Sequence, residues 1–427
     1  VTEPRVYRPF ALVAFGGTVL AGTPVGVGLL GWRQLGVPAL TADWLLFHAG
    51  VQVFSLLGTL IVGVAHHLLP RFTGRPVAAT ALTPWLALLL AGGLALRMAA
   101  VTMGAGAVAA AGALAQAAAF TLFAGWVWRA LDPPPLARLR RHLTLASAWP
   151  AAAAALEAVL RVVALADGLA TPPLDAMRAV HSMALLGGVI GWVSGVLLRA
   201  GPMFVAGWRV PTAVAVLAGA GPAVAGVLSA ATLIAAPAAA GRLARLADLV
   251  ALGAVATLVV SAGALRRAGR ALPMLSRSAA ESRIFRLGVA CALLATLGAA
   301  VLALAALGLV PGGVGVALAP GGAVAHALLD ALRHLVAVGF LTSVVVAMTF
   351  RLIPVLEATA LPWPRLRDVA LAALLGAVVA RSAQALASEG RWWLAPAVVL
   401  SGVLAWIALA CPAASLLAAV LRRRPIA

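Results

Sequence analysis

Residues 323–354 read AVAHALLDALRHLVAVGFLTSVVVAMTFRLIP, an apolar run long enough to cross a bilayer that carries His326, Asp330, Arg333 and His334 near its start. An ionisable side chain at the centre of a membrane span costs about 2.5–3.5 kcal/mol by insertion scales, so such groups read by default as functional. Spacings of four and eight place His326, Asp330 and His334 on one helical face. The same pattern, a histidine early in a span that closes on proline, occurs twice more. His48 precedes Pro70 in HHLLPRF, and His181 precedes Pro202 in LLRAGPMF.

Composition sets the environment. The 427 residues are 63% hydrophobic and only 10% charged, too little charge to cover a soluble domain of this size, so the chain reads as an all-α polytopic membrane protein. No secretory signal pattern precedes the first apolar run, which follows Tyr7-Arg8-Pro9 directly. The formal net charge of +19 would suggest nucleic acid in a soluble protein. Here the positive charges fall in short loops between spans and read as topology, with no nucleic-acid partner. Cys291 and Cys411 lie far apart inside apolar runs, with no CxxCH for covalent haem and no CxxC ribbon, and read as packing residues.

Twelve spans are expected, at about 8–31, 43–70, 81–103, 106–130, 142–167, 174–200, 210–236, 245–268, 283–309, 323–353, 366–388 and 391–421. Arginines crowd the N-terminus, the loops after even-numbered spans and the C-terminal tail. Only Arg33, Arg242, Arg245 and Arg391 occupy the alternate loops. By the positive-inside rule both termini are cytoplasmic. Counted back from Pro70, Pro202 and Pro354, the histidines His48, His181 and His334 fall at −22, −21 and −20. Small residues fall at −15 (Ser55, Gly187, Gly339) and −7 (Gly63, Gly195, Ala347), and Arg97 and Arg381 lie at +27, with Ser229 in the middle copy. Spans 2, 6 and 10 therefore recur every four spans, and the membrane domain, 1–427, reads as three four-helix pseudo-repeats, 1–135, 136–270 and 271–427.

In one register and at one depth, the three histidines point to metal or haem ligation, against the alternative of imidazoles satisfied within the bundle. The small residues either admit a flat macrocycle or serve close helix packing. Asp330 either accepts an imidazole N–H or pairs with Arg333; Asp43 and Asp175 read as acids favoured near a helix N-terminus. Arg97 and Arg381 either meet haem propionates or snorkel to the headgroups, with Arg161 and Arg178 as weaker candidates. Glu157 is the most isolated membrane acid. His66 and His67 read as polar groups at the membrane interface.

Tyr7-Arg8-Pro9-Phe10, the run FHAGVQVFSLLGTLIVGVAHHLLPRFTGRP at 47–76 and LRHLVAVGFLTSVVVAMTFRLIP at 332–354 resemble the NnrS family, bacterial twelve-span membrane proteins linked to nitric oxide metabolism and to haem and copper. The arrangement is also similar to the catalytic subunit of haem-copper oxidases and nitric oxide reductases. The resemblance implies that His48 and His334 ligate haem and that His181 matches a copper ligand, with His326 as a further candidate. It departs from the oxidase pattern in span 7, which holds no histidine, and in the absence of any intramembrane tyrosine, so proton-pumping oxygen reduction is not expected.

The expected protein is thus a multi-pass component of a bacterial inner membrane with one or more b-type haems and a candidate copper. It would serve nitric-oxide-related metabolism or protection by binding a small gas or by electron transfer from a donor. Two alternatives remain: a transporter or metal-handling permease, and a haem-bearing anchor of an electron-transfer complex.

Overall fold

The computed structural model describes residues 5–37, 40–74, 81–132, 136–265, 279–318, 323–388 and 392–422. Among them there is no strand. Eleven helices are long and apolar enough to cross a membrane: α1 (Arg8–Leu35), α2 (Ala42–Thr73), α3 (Leu82–Met103), α4 (Gly106–Ala130), α5 (Ala137–Ala166), α6 (Leu174–Met203), α7 (Thr212–Ala231), α8 (Pro237–Ser261), α9 (Ala279–Ala306), α10 (Val324–Glu357) and, at the C-terminal end, Trp392–Leu421. Residues of the remaining expected span, 366–388, form the helix α11 (Leu366–Ser388), which is not one of the eleven; Trp392–Leu421 is α12. It stands apart from the eleven because Arg367, Asp368 and Arg381 dilute its apolar run. Of the arginines used to orient the chain, Arg75, Arg266, Arg267, Arg270, Arg277, Arg391, Arg423 and Arg424 lie outside the described residues.

A bilayer interior offers backbone groups no water, so a spanning chain satisfies its N–H and C=O groups within helices. The connection from α3 to α4 shows how little loop this needs. Gly104 takes the left-handed conformation at φ 66°, Ala105 donates its N–H back to the Ala100 carbonyl, and α4 begins at Gly106. Asp43 and Asp175 sit in the first turns of α2 and α6, where an acid is favoured by the exposed N–H groups; Asp175 also pairs with Arg178 at 2.7 Å.

Four helices are locally wound as π-helix: Thr18–Gly22 in α1, Val51–Gly58 in α2, Met183–Val189 in α6 and Leu335–Thr342 in α10. The last three begin one to three residues after His181, His48 or His334 and end twelve or thirteen residues before Pro202, Pro70 or Pro354. A π turn breaks the regular i→i−4 ladder and is found mostly at functional positions. Pro70 and Pro354 lie within the last turn of their helices, and Pro202 lies in the short 3-10 turn Gly201–Met203.

The chain divides into two compact units. The first comprises Val1–Val25, Leu40–Gly195 and Leu217–Ala251; the second comprises Gly26–Ala39, Val196–Val216 and Leu252–Ala427. In the first unit α4 packs along α3 and α5, and α5 lies against the π turn of α6. Trp149 of α5 fills the space beside Gly187 and Gly226, and Pro150 fills that beside Gly188. In the second unit α9 packs on α10, and α11 packs on α10 and α12. Phe204 stacks on Phe285 at 4.8 Å between centroids.

Candidate functional site

In the first unit the site is built on the π turns of α1 and α2. Gly22 closes the α1 turn, and its missing side chain is required: a Cβ there would fall 2.6 Å from Val51. The close approach lets the His48 Nδ1–H donate to the Gly22 carbonyl at 2.7 Å, while Gln52 donates to Thr23 Oγ1 at 3.2 Å. An imidazole that donates from Nδ1 to a carbonyl keeps its lone pair on Nε2, the tautomer and orientation of a ligand histidine.

Deeper in the same unit, three charged side chains from two helices converge. Arg97 of α3 is 3% exposed and Glu157 of α5 is 0% exposed. Arg97 grips Glu157 with both terminal nitrogens, at 2.6 and 2.7 Å, and its Nε–H donates to Gln116 of α4 at 2.8 Å. Arg161, one turn after Glu157, adds a third hydrogen bond through Nε at 2.9 Å. The two parallel N–H bonds of Arg97 make the strong, planar form of this pair. His181 belongs to this cluster: a Cβ on Gly50 would sit 3.3 Å from Arg97 Nη1 and 3.9 Å from His181 Nε2. Phe54, in the π turn of α2, lies under both, 5.6 Å from the Arg97 guanidinium and 6.0 Å from the His181 ring.

In the second unit Asp330, His334 and Arg381 meet. Arg381 donates to Asp330 Oδ2 at 3.0 Å, Gln384 donates to the same oxygen, and Arg33 stands 4.0 Å away. The His334 Nδ1–H donates to the main-chain carbonyl of Asp330 at 2.8 Å. The Asp330 carboxylate lies 3.4 Å from the same nitrogen, beyond ordinary N–H···O range. The expected imidazole–aspartate contact therefore runs through the backbone, and the ion pair is with Arg381 rather than Arg333. Arg381 Nη2 is 2.9 and 3.2 Å from the two ring nitrogens of His334. Near-equal separations place it over the ring face, not in line with a nitrogen lone pair. Its Nε and Nη1 are buried with no protein acceptor.

The structure therefore brings Asp330, His334 and Arg381 together, and His181 with Arg97. His326 is exposed on α10. Both arginines are buried and meet carboxylates of the protein itself, so neither snorkels to headgroups. Among the described residues no three His, Cys, Asp or Glu side chains come together as a metal-holding group. The small positions are taken up by neighbouring helices: a Cβ on Gly63 would strike Phe10 at 2.7 Å, one on Gly187 Trp149 at 2.6 Å, one on Gly195 Leu143 at 2.5 Å, and one on Gly339 Cys291 at 2.8 Å. These contacts realise the close-packing alternative.

Sequence reasoning left three features without a role. Glu157 is the hub of the first cluster, and its i,i+4 spacing to Arg161 was the available signal. Gln116 and Gln384 support the two carboxylate–arginine pairs. His66 is half-buried, its ring stacked between Phe10 and Trp126 at 5.5 and 4.2 Å, and its Nδ1–H donates to the Val62 carbonyl.

Compared with protein-family models and with curated proteins, the chain gives no match.

Proposed function

We propose that the chain is a haem-binding protein of a bacterial inner membrane, resembling the NnrS family. It would carry one or more b-type haems and serve nitric-oxide-related metabolism or protection by gas binding or electron transfer. The observation that carries this reading is the common setting of the histidines. His48, His181 and His334 each stand immediately before a π turn, in helices that recur every four spans and end on a proline. That recurrence also supports twelve spans in three four-helix pseudo-repeats, and the arginine distribution supports cytoplasmic termini.

The donor set suits haem better than copper. Axial ligation asks for one or two imidazoles with a ring nitrogen lone pair available, not a cluster of three donors. His48 and His334 both have Nδ1–H fixed on a main-chain carbonyl, which assigns the lone pair to Nε2. The glycines at −15 and −7 do not serve as the macrocycle seat, because Phe10, Trp149, Leu143 and Cys291 occupy those faces.

In this reading His48 and His334 are each axial ligands of haem iron, and His181 and His326 are each candidates for a second haem or for copper. Bound haem iron would supply a redox couple and a coordination site for a diatomic gas. The chain's own residues do the rest. Gly22 and the Asp330 carbonyl hold two rings in the ligand tautomer. Arg381 lies over the His334 ring and pairs with Asp330. Glu157 and Asp330 balance the buried guanidiniums.

The test is the absorption spectrum of the purified protein. Haem gives a Soret band that is weakened or lost in His48→Ala or His334→Ala, and added nitric oxide under anaerobic conditions shifts it where the iron has an open position. A featureless spectrum sends the intramembrane histidines and arginines to the permease alternative.

A further inference from the structure

The first unit contains a second place where chemistry is left open, and it involves no histidine. At the end of the unit where α3 turns into α4, a small half-enclosed cleft is lined by Asp43, Phe47, Arg97, Gly104, Gly106 and Arg161, among others. Arg161 is the residue that faces it unsatisfied. Its side chain is 7% exposed and its Nε is committed to Glu157. Its two terminal amino groups, four N–H donors, find no acceptor among the described residues, and no ion pair forms with Asp43 across the cleft.

The local charge points the same way. Arg97 already meets Glu157 with two terminal hydrogen bonds, which leaves Asp43 on the cleft wall as the further acid near Arg161. The terminal N–H groups of Arg161 border the cleft, where the oxygen of a bound anion can accept from them. A planar guanidinium presenting free N–H groups matches a planar oxyanion in two parallel hydrogen bonds. Asp43, as a carboxylate on the same wall, opposes an anion and would reduce its affinity.

We infer that this cleft is a binding site for a singly charged oxyanion, free or as a lipid phosphodiester, held by the terminal nitrogens of Arg161 and backed by the Arg97–Glu157 pair. No residue named on this cleft is a proposed iron ligand, although Arg97 also adjoins His181.

The experiment is a calorimetric titration of the full-length protein in detergent with sodium formate and sodium nitrate, against a bulky sulfonate at equal ionic strength. Saturable binding of formate or nitrate but not the sulfonate is expected. Arg161→Gln should weaken it at least tenfold, and Arg161→Lys, which keeps the charge but loses the fork, should weaken it less. Asp43→Asn should tighten binding by removing the opposing carboxylate, and it leaves the Arg97–Glu157–Arg161 core intact should Arg161→Gln fail to fold. A second arm adds short-chain phosphatidylglycerol. Competition with nitrate identifies a lipid phosphate as the source, and nitrate binding without competition identifies a free anion. Absence of saturable binding by all three ligands, binding unchanged in Arg161→Gln, or binding weakened by Asp43→Asn overturns the inference.

Discussion

Replacing Glu157 with glutamine removes a carboxylate shared by two buried arginines. The side chain has no exposure, and three hydrogen bonds of 2.6, 2.7 and 2.9 Å end on its two oxygens. Glutamine keeps the shape but loses the charge, and its amide nitrogen faces an arginine donor where an acceptor stood. Breaking a buried ion pair from one side costs about 3–5 kcal/mol, because the uncompensated charge stays behind. Here two guanidiniums are left, so Glu157→Gln should fall at the upper end of that range. The assay is unfolding of purified protein in a fixed detergent, by circular dichroism against increasing SDS, with Asp175→Asn as comparison. Asp175 pairs with Arg178 on the surface, its side chain 90% exposed, and its loss should leave the midpoint unchanged. The compound variant Glu157→Gln with Arg161→Leu should recover part of the loss, since it removes one stranded charge. A Glu157→Gln protein as stable as the parent would refute the view that this carboxylate holds the first unit together.

Gly187→Ala should destabilise by about 1–3 kcal/mol through overpacking, because the new methyl meets the Trp149 ring at 2.6 Å. Gly125→Ala meets nothing within 4 Å, so its unfolding midpoint should match the parent's. Trp126→Ala should cost about 3–5 kcal/mol for a large aromatic removed from a packed interior and should free the His66 ring, a change seen as a shifted histidine resonance by NMR. Gln384→Leu should leave Asp330 with one donor fewer and destabilise the second unit by about 1–3 kcal/mol, measured in the same SDS titration.

The helical membrane architecture was legible because hydropathy over a span's length needs no tertiary information. α10 shows this best: expected at 323–353, it runs Val324–Glu357. The register of histidine, small residue and proline was legible too, and it coincides with the π turns, although nothing in VQVFSLLG or LVAVGFLT marks a wider turn in advance. What occupies a small residue's face could not be read. Gly187 admits a macrocycle or an indole equally well until Trp149 of α5 is seen beside it. Glu157 looked isolated for the same reason: its principal partner, Arg97, is 60 residues away on another helix. Both Glu157–Arg161 and Asp330–His334 are set by one helical turn, but only the second was read in advance, and there the hydrogen bond goes to the carbonyl rather than the carboxylate.

The central claim is that imidazoles beside the π turns ligate haem iron, and the direct measurement is the reduced-minus-oxidised absorption spectrum of the purified protein with a haem assay on the same sample. A Soret and α band in the parent, with haem content falling in His48→Ala and His334→Ala but kept in His66→Ala, is the predicted result. Parent protein that is folded and free of haem, or haem retained in full by both ligand variants, would contradict it.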